Sequence, residues 1–294
     1  MIGPLLPIDS LVGQAVTDDL RRRRDLEGNR PTADGTRGRG SMARACSRRI
    51  AFDGAHIPRT RPDADWNFIT WQIGQDAHDR IQAGLAKHFG ARTEVPVSYR
   101  PDHDFSGNTD AVYDVHPLTG EKRSNLIAVE IKSMAQYGFD LATGRKPKHG
   151  EEPGPKIEHL TQAALYGCAP QLESEWLHLV YYGKDKGLMA EWLLPVDEPL
   201  AHLEGNPTPR DLAMEELARL DKIFGHLDDK QLIVKPVIPG YGHVADPTNG
   251  PWQCDYCPHQ ATCAAIGPEA VHRDVAEKAA WGLLPETFDE QELA

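Results

Sequence analysis

The chain of 294 residues has no apolar run approaching the roughly 20 residues that a membrane-crossing helix requires. Its opening, MIGPLLPIDSLVG, lacks the basic start and long apolar stretch of a secretory signal, and so points to a cytoplasmic protein without a membrane partner. Cysteine is scarce: five in all, an odd number in a chain without a signal. That excludes a disulfide framework and fits a reducing compartment, where thiols are kept for metal or catalysis. Positive charge is short as well, with a formal net charge of −12, which argues against nucleic acid over the surface as a whole. Internal repeats are absent. What remains, 40% hydrophobic residues over this length, is enough to bury a sizeable core.

The charge deficit is uneven. Residues 20 to 49 hold ten arginines against Asp25, Glu27 and Asp34, a local charge of +7 that leaves −19 for the rest. Such a footprint suffices for phosphate contact, although RRRR (21 to 24) is equally compatible with a solvated arm. GNRPTADGTRGRGS (28 to 41) has linker composition, which makes residues 1 to 40 a flexible basic extension. Ser41 is placed to cap a helix through MARACSRRIAF. Trp71, Ala77, Ile81, Leu85 and Phe89 recur at near-helical spacing and predict a helix over 68 to 90. Strands follow at 93 to 100, 109 to 115 and 125 to 133, then a Gly- and Pro-rich loop at 141 to 156. A helix at 157 to 169, strands at 174 to 183 and 188 to 196, and an amphipathic helix at 210 to 230 complete the pattern. The expected class is α/β, with a core over residues 41 to 200, a lobe over 201 to 268 and an acidic tail over 269 to 294.

Chemistry concentrates on NLIAVEIKSM (125 to 134). Side chains alternate along a strand, so Leu126, Ala128, Glu130 and Lys132 share one face while Ile127, Val129 and Ile131 share the other. Two charges between apolar neighbours must be solvated, paired or bound to an ion, and a salt bridge on a sheet edge is the plainest outcome. Asp110 begins the preceding strand and would lie across from Glu130 in a hairpin. Facing carboxylates repel unless a cation intervenes. Carboxylates with a backbone carbonyl and water suit Mg²⁺ or Mn²⁺, and that chemistry belongs to phosphodiester cleavage with Lys132 orienting the attacking water.

Three further patterns stand out. IGQDAHDRI places His78 one helical turn after Gly74, whose missing side chain would admit a close neighbour. TQAALYG places Gln162 and Tyr166 on one helix face, with Cys168 pointing away as an apolar residue. CDYCPHQATC spaces Cys254, Cys257 and Cys263 as C-x2-C-x5-C, three thiolates suited to zinc or an iron-sulfur cluster. The fourth ligand has two candidates, nearby His259 and distant Cys46, and local spacing alone favours a Cys3His zinc site.

Asp110 after Gly107 (SGNTD), with Glu130 and Lys132 (VEIK), resembles the PD-(D/E)XK nuclease superfamily, Thr109 standing where the family has proline. The GxxxH pattern at His78 and QxxxY at Gln162 and Tyr166 are similar to motifs of its RecB-like branch. Cys46 upstream of a trailing C-x2-C-x5-C resembles the iron-sulfur members, including the AddB nuclease domain and the CRISPR-associated RecB-like exonucleases. The resemblance covers residues 41 to about 265.

It implies a restriction-endonuclease-like core, a mixed central sheet flanked by helices, with a helical iron-sulfur lobe formed by N- and C-terminal segments. His78, Asp110, Glu130 and the Ile131 carbonyl would hold the divalent ion, and Cys46, Cys254, Cys257 and Cys263 a 4Fe-4S cluster. The catalytic set would be Asp110, Glu130 and Lys132, with Gln162 and Tyr166 positioning substrate. Arg48, Arg49 and the loop GRKPKHG (144 to 150) are candidate phosphate contacts. The implied activity is exonucleolytic hydrolysis of DNA with single-stranded ends, in recombination, repair or CRISPR-type processing. The rival expectations are a non-catalytic iron-sulfur subunit that binds DNA or serves assembly, with a vestigial nuclease site, and a zinc-ribbon protein with an unrelated sheet.

Overall fold

The computed structural model describes residue 22 and residues 36–61, 65–116, 119–146 and 153–283. The remainder of the expected basic extension, part of the loop GRKPKHG and the end of the acidic tail lie outside the described residues. The described residues divide into two compact units, one of residues 36–43 and 65–216 and the other of residues 44–61 and 217–283.

The first unit is a mixed α/β arrangement around a five-stranded sheet. Its strands are β1 (Arg92–Ser98), β2 (Ser106–Val115), β3 (Lys122–Met134), β4 (Trp176–Gly183) and β5 (Leu188–Pro195), paired in sequence order. All neighbours are antiparallel except β3 and β4, which run parallel. A parallel pair needs a crossover. Here it passes through two helices that sequence order places between those strands, Gln136–Ala142 and Ile157–Gly167.

Helices cover both faces, as the alternation on β3 requires. On one face Ile127, Val129 and Ile131 pack with Ala111, Tyr113 and Val180 against Leu85, Ile81 and Phe89 of the long helix Asp65–Phe89. On the other, Met134, Leu179 and Tyr181 pack against Phe139 and Leu160 of the crossover. In chain order the helices are α1 (Ser47–Gly54), α2 (Asp65–Phe89), α3 (Gln136–Ala142), α4 (Ile157–Gly167) and α5 (Pro209–Lys230). The division between units falls inside α5. No described helix is long and apolar enough to cross a membrane.

The helix expected from Met42 on, capped by Ser41, begins five residues later at Ser47. Residues Gly40–Met42 form a 3-10 turn, and Arg44 adopts a φ of 54°, a left-handed conformation that interrupts any helix running through it. Ahead of that turn, Gly38 bridges Phe105, and Ser106 donates its N–H to the Gly38 carbonyl. The same stretch is tied down by Arg37, whose Nε lies 2.7 Å from the Asp104 carboxylate. Arg100 Nη2 approaches that carboxylate at 3.2 Å.

The second unit collects α1 and the later half of α5 with short elements: β6 (Leu232–Ile233) pairs β9 (Val271–His272), and β7 (Val237–Ile238) pairs β8 (Gly242–His243). Helices α6 (Trp252–Asp255), α7 (Gln260–Ile266) and α8 (Arg273–Ala280) complete it. The two-residue strands are too short to leave a periodic signal in the sequence, and the helical lobe implied by the resemblance did not include them.

Burial opposes ionisation of Asp104, but Arg37 and Arg100 prevail and hold its carboxyl below the ordinary value. A depressed pKa stabilises the fold above the unfolded value, and that contribution disappears as pH falls through the folded one. Asp104→Asn should therefore lower stability near neutral pH by less than about 1 kcal/mol, because the pair is partly solvated. Denaturant curves of the two proteins should converge below about pH 4.

Candidate active site and cysteine cavity

Glu130 and Lys132 lie where the strand period puts them, on the face of β3 that also carries Ala128 and meets α4. The β2–β3 register, Ala111 opposite Val129, continues to set Asp110 beside Glu130. Regular pairing ends there, because the Asp110 side chain takes over a backbone partner: Ile131 donates its N–H to Asp110 Oδ2 at 2.6 Å. Thr109, the departure from the superfamily's proline, uses its hydroxyl to donate to the Val129 carbonyl at 2.8 Å. The letter differs, yet the strand is held by a side-chain bond that proline could not make.

Glu130 is 3% exposed. Lys132 Nζ sits 2.6 Å from its Oε1, while its Oε2 is buried and without a partner. Burial pushes the Glu130 carboxyl up, Lys132 opposes that, and the nearby Asp110 adds to it. His78 comes from α2 to stand with Nδ1 3.5 Å from Asp110 Oδ1. Burial disfavours the imidazolium, but the carboxylates of Asp110 and Glu130 outweigh it and raise the His78 pKa.

Gly74 explains the approach of α2: a Cβ there would come within 2.8 Å of Ser133 Oγ on β3. Gln82, one turn beyond His78, was not singled out from sequence. Its Nε2 donates to the Asp110 carbonyl at 2.9 Å and to Glu94 Oε1 at 2.7 Å. The available signal was its spacing of four from His78 on the same helix.

Gln162 and Tyr166 do share a face of α4, and Gln162 connects the two halves of the site. It accepts from Lys132 Nζ at 2.9 Å through Oε1, and its Nε2 lies 3.5 Å from the Tyr166 hydroxyl. Tyr166 is 7% exposed. It is enclosed by two glycines: a Cβ on Gly40 would fall 2.1 Å from its hydroxyl oxygen, and one on Gly107 would fall 2.7 Å from its ring. Burial, then the Glu130 and Asp110 charges, raise the Tyr166 pKa, so it stays a neutral phenol. His159, also unforeseen, bonds Tyr181 OH through Nδ1 at 2.8 Å and is pushed down to about 3 by burial and by Lys132 and Lys156. It is therefore neutral beside the lysine.

In the second unit, Cys46, Cys254, Cys257 and Cys263 line one cavity of about 80 Å³. Cys254 and Cys263 are buried, and Cys46 and Cys257 partly so. Burial followed by the neighbouring thiols pushes Cys254 up to about 11, and burial raises Cys257 and Cys263 as well. His259, the alternative fourth ligand, is elsewhere engaged: fully buried, it bonds Asp53 Oδ1 through Nε2 at 3.2 Å and packs on Phe52 with ring centroids 5.0 Å apart. Cys168 lies in the first unit, and burial raises its pKa to about 11.

One of the expected phosphate contacts changes character. Arg48 is 1% exposed, and its guanidinium is committed to backbone carbonyls, so it cannot reach a DNA phosphate. Arg49 is exposed, with Nε 3.9 Å from Asp53 Oδ2. In the loop, Arg145 lies over the Phe139 ring and Lys146 over the Tyr137 ring, while residues 147–150 lie outside the described residues.

Among the described residues, no group of three or more His, Cys, Asp or Glu side chains is drawn together as a ready metal site. The donors nonetheless fit the two expected groups. The divalent site has an orphaned, buried carboxylate oxygen beside a second carboxylate, and the cavity has four thiols on one wall. The unmet requirement at the first is that Asp110 and Glu130 are turned toward Ile131 N–H and Lys132.

No protein-family model matches the chain, and no curated protein matches it. Among solved structures it is similar to a chain described as "Crystal structure of SSO0001", at 17% identity and a TM-score of 0.47, covering 84% of this chain and 96% of that one.

A methyl group at Gly107 would press on the Tyr166 ring. Gly107→Ala should cost about 1–3 kcal/mol as overpacking, read as a lower denaturant midpoint with an unchanged slope.

Proposed function

We propose that the protein is a divalent-metal-dependent deoxyribonuclease, acting as an exonuclease on DNA with single-stranded ends in recombination, repair or CRISPR-type processing. On this reading the first unit is a restriction-endonuclease-like core of the RecB-like branch and the second is an iron-sulfur lobe. The single observation that supports it most is Glu130 Oε2, a buried carboxylate oxygen with no hydrogen-bond partner, next to Asp110 and Lys132. Leaving such an oxygen unsatisfied costs about 1–3 kcal/mol or more for a charged group. A purely structural ion pair would have no reason to keep that cost, whereas a cation-binding carboxylate does.

Glu130 and Asp110 would hold the ion, with the Ile131 carbonyl and His78 completing its protein ligands. Mg²⁺ or Mn²⁺ bound there would supply Lewis acidity at a phosphate oxygen. Lys132 Nζ, held against Glu130 Oε1 and Gln162 Oε1, would orient the attacking water and offset developing negative charge. Gln162 fixes the direction of that ammonium, and the buried Tyr166 supports Gln162. A DNA phosphate would find its positive partners among exposed arginines such as Arg49 rather than at Arg48.

The rival, a DNA-binding or assembly subunit with a vestigial site, is distinguished by activity alone. End-labelled single- and double-stranded DNA should be digested in Mg²⁺ or Mn²⁺. Glu130→Ala and Lys132→Ala should each reduce the rate by about 10²–10³-fold or more while leaving DNA binding intact. Cleavage that persists in both highly purified variants would remove the assignment.

The preparation should also be brown when purified without oxygen, and Cys46→Ser should bleach it. A colourless protein holding one zinc per chain would favour the zinc-ribbon alternative for the second unit.

A further inference from the structure

Among the described residues of the second unit, Arg48 is a buried charge held by uncharged partners. Its side chain is 1% exposed, in a position where arginine is normally paired with an acid. Its described partners are uncharged: Nε donates to the Val234 carbonyl at 3.0 Å, and the terminal nitrogens donate to the carbonyls of Gly267 and Glu269. The remaining approach is to sulfur, with Nη1 3.4 Å from Cys263 Sγ. The guanidinium cannot discard its proton to relieve the burial. The carboxylate nearest in influence, that of Glu269, is exposed and bound to Lys235.

The cavity wall gives the same indication. Four cysteines and three arginines, Arg44, Arg48 and Arg49, line it, and no aspartate or glutamate does so. A wall of thiols and guanidinium groups suits an occupant that is strongly anionic once the thiols are ionised. A 4Fe-4S centre with four thiolates carries two negative charges, and a third after taking up one electron.

We infer that Arg48 is the fixed countercharge of a four-thiolate centre in this cavity, and that it holds the reduction potential of that centre up. The inference rests on the iron-sulfur reading given above. Its carbonyl anchors keep the guanidinium stationary beside Cys263, so the charge acts in a dry, unscreened setting. Added positive charge favours the state with the extra electron. Arg49 lines the same cavity with a side chain 44% exposed, where solvent screens it. Arg48 is thus a positioning residue for the centre.

The test is an anaerobic redox titration with dithionite of the full-length, cluster-loaded protein, followed by visible absorbance and electron paramagnetic resonance. R48Q should shift the equilibrium at least tenfold toward the oxidised form, about 59 mV for one electron, while R48K and R49Q stay within threefold of the parent. The inference fails if R48Q stays within threefold with its cluster intact, or if R49Q moves as far as R48Q. Should R48Q not fold, R48K decides alone, since a tenfold shift in a variant that keeps the charge overturns the idea.

If the parent protein binds zinc instead, the iron-sulfur reading is lost and the countercharge is read by metal retention. R48Q should then release zinc to a chelator at least tenfold faster than the parent and R48K. Equal rates would overturn it.

Discussion

Two ionisable side chains inside a sheet, Glu130 and Lys132, are the constraint around which the first unit is organised. They occupy alternate positions of β3, so they must share a face, and the neighbouring strand β4 must run parallel to it to bring a crossover over that face. The crossover delivers α4, and with it the amide of Gln162, to the lysine. The opposite face can then be largely apolar: Ile127, Val129 and Ile131 pack against α2. Removing the polar contacts on one face would leave charges in a low-dielectric layer, so packing and chemistry are the same problem here.

The second unit solves a different problem with chain topology. Cys46 is brought to Cys254, Cys257 and Cys263 across more than two hundred residues of sequence. Closing so long a loop costs only modestly more than closing a short one, because the entropy grows with the logarithm of length. The thiols themselves are costly company for one another, since burial and mutual proximity push their pKa values up. A metal centre removes that cost by taking the thiolates directly, which on the proposed reading makes occupancy and folding of this unit one event.

The sequence exposed those parts of the molecule that depend on short-range periodicity. Alternation over NLIAVEIKS located β3 and its charged face, and spacing of four paired Gln162 with Tyr166. The C-x2-C-x5-C run was readable from its spacing, but Cys46 joined it only through resemblance, since nothing local to MARAC marks it as a partner of residues near the other end. Arg48 was misread as a phosphate contact because it stands in an arginine-rich stretch. Its burial is decided by carbonyls 186 to 221 positions away, which composition does not encode. Gly40 and Gly107 look like linker and turn residues. The Tyr166 ring between them is what requires glycine, and that is a tertiary fact. The start of α1 was missed for a local reason of another kind, the left-handed Arg44, which no helix propensity forecasts for arginine.

The two units share one physical peculiarity of opposite sign. In the first, a buried carboxylate oxygen lacks a donor; in the second, a buried guanidinium lacks an acid. Proteins rarely retain such groups for stability, because a hydrophobic replacement of similar size often serves the fold as well or better. Local rules broken without compensation tend to mark places where function overrides folding. Each of these groups has ligand-type atoms near it: the Asp110 carboxylate near Glu130, the Cys263 sulfur beside Arg48. A cation answers the unpartnered oxygen and an anionic centre the guanidinium, so the proposed divalent ion and four-thiolate centre account for both.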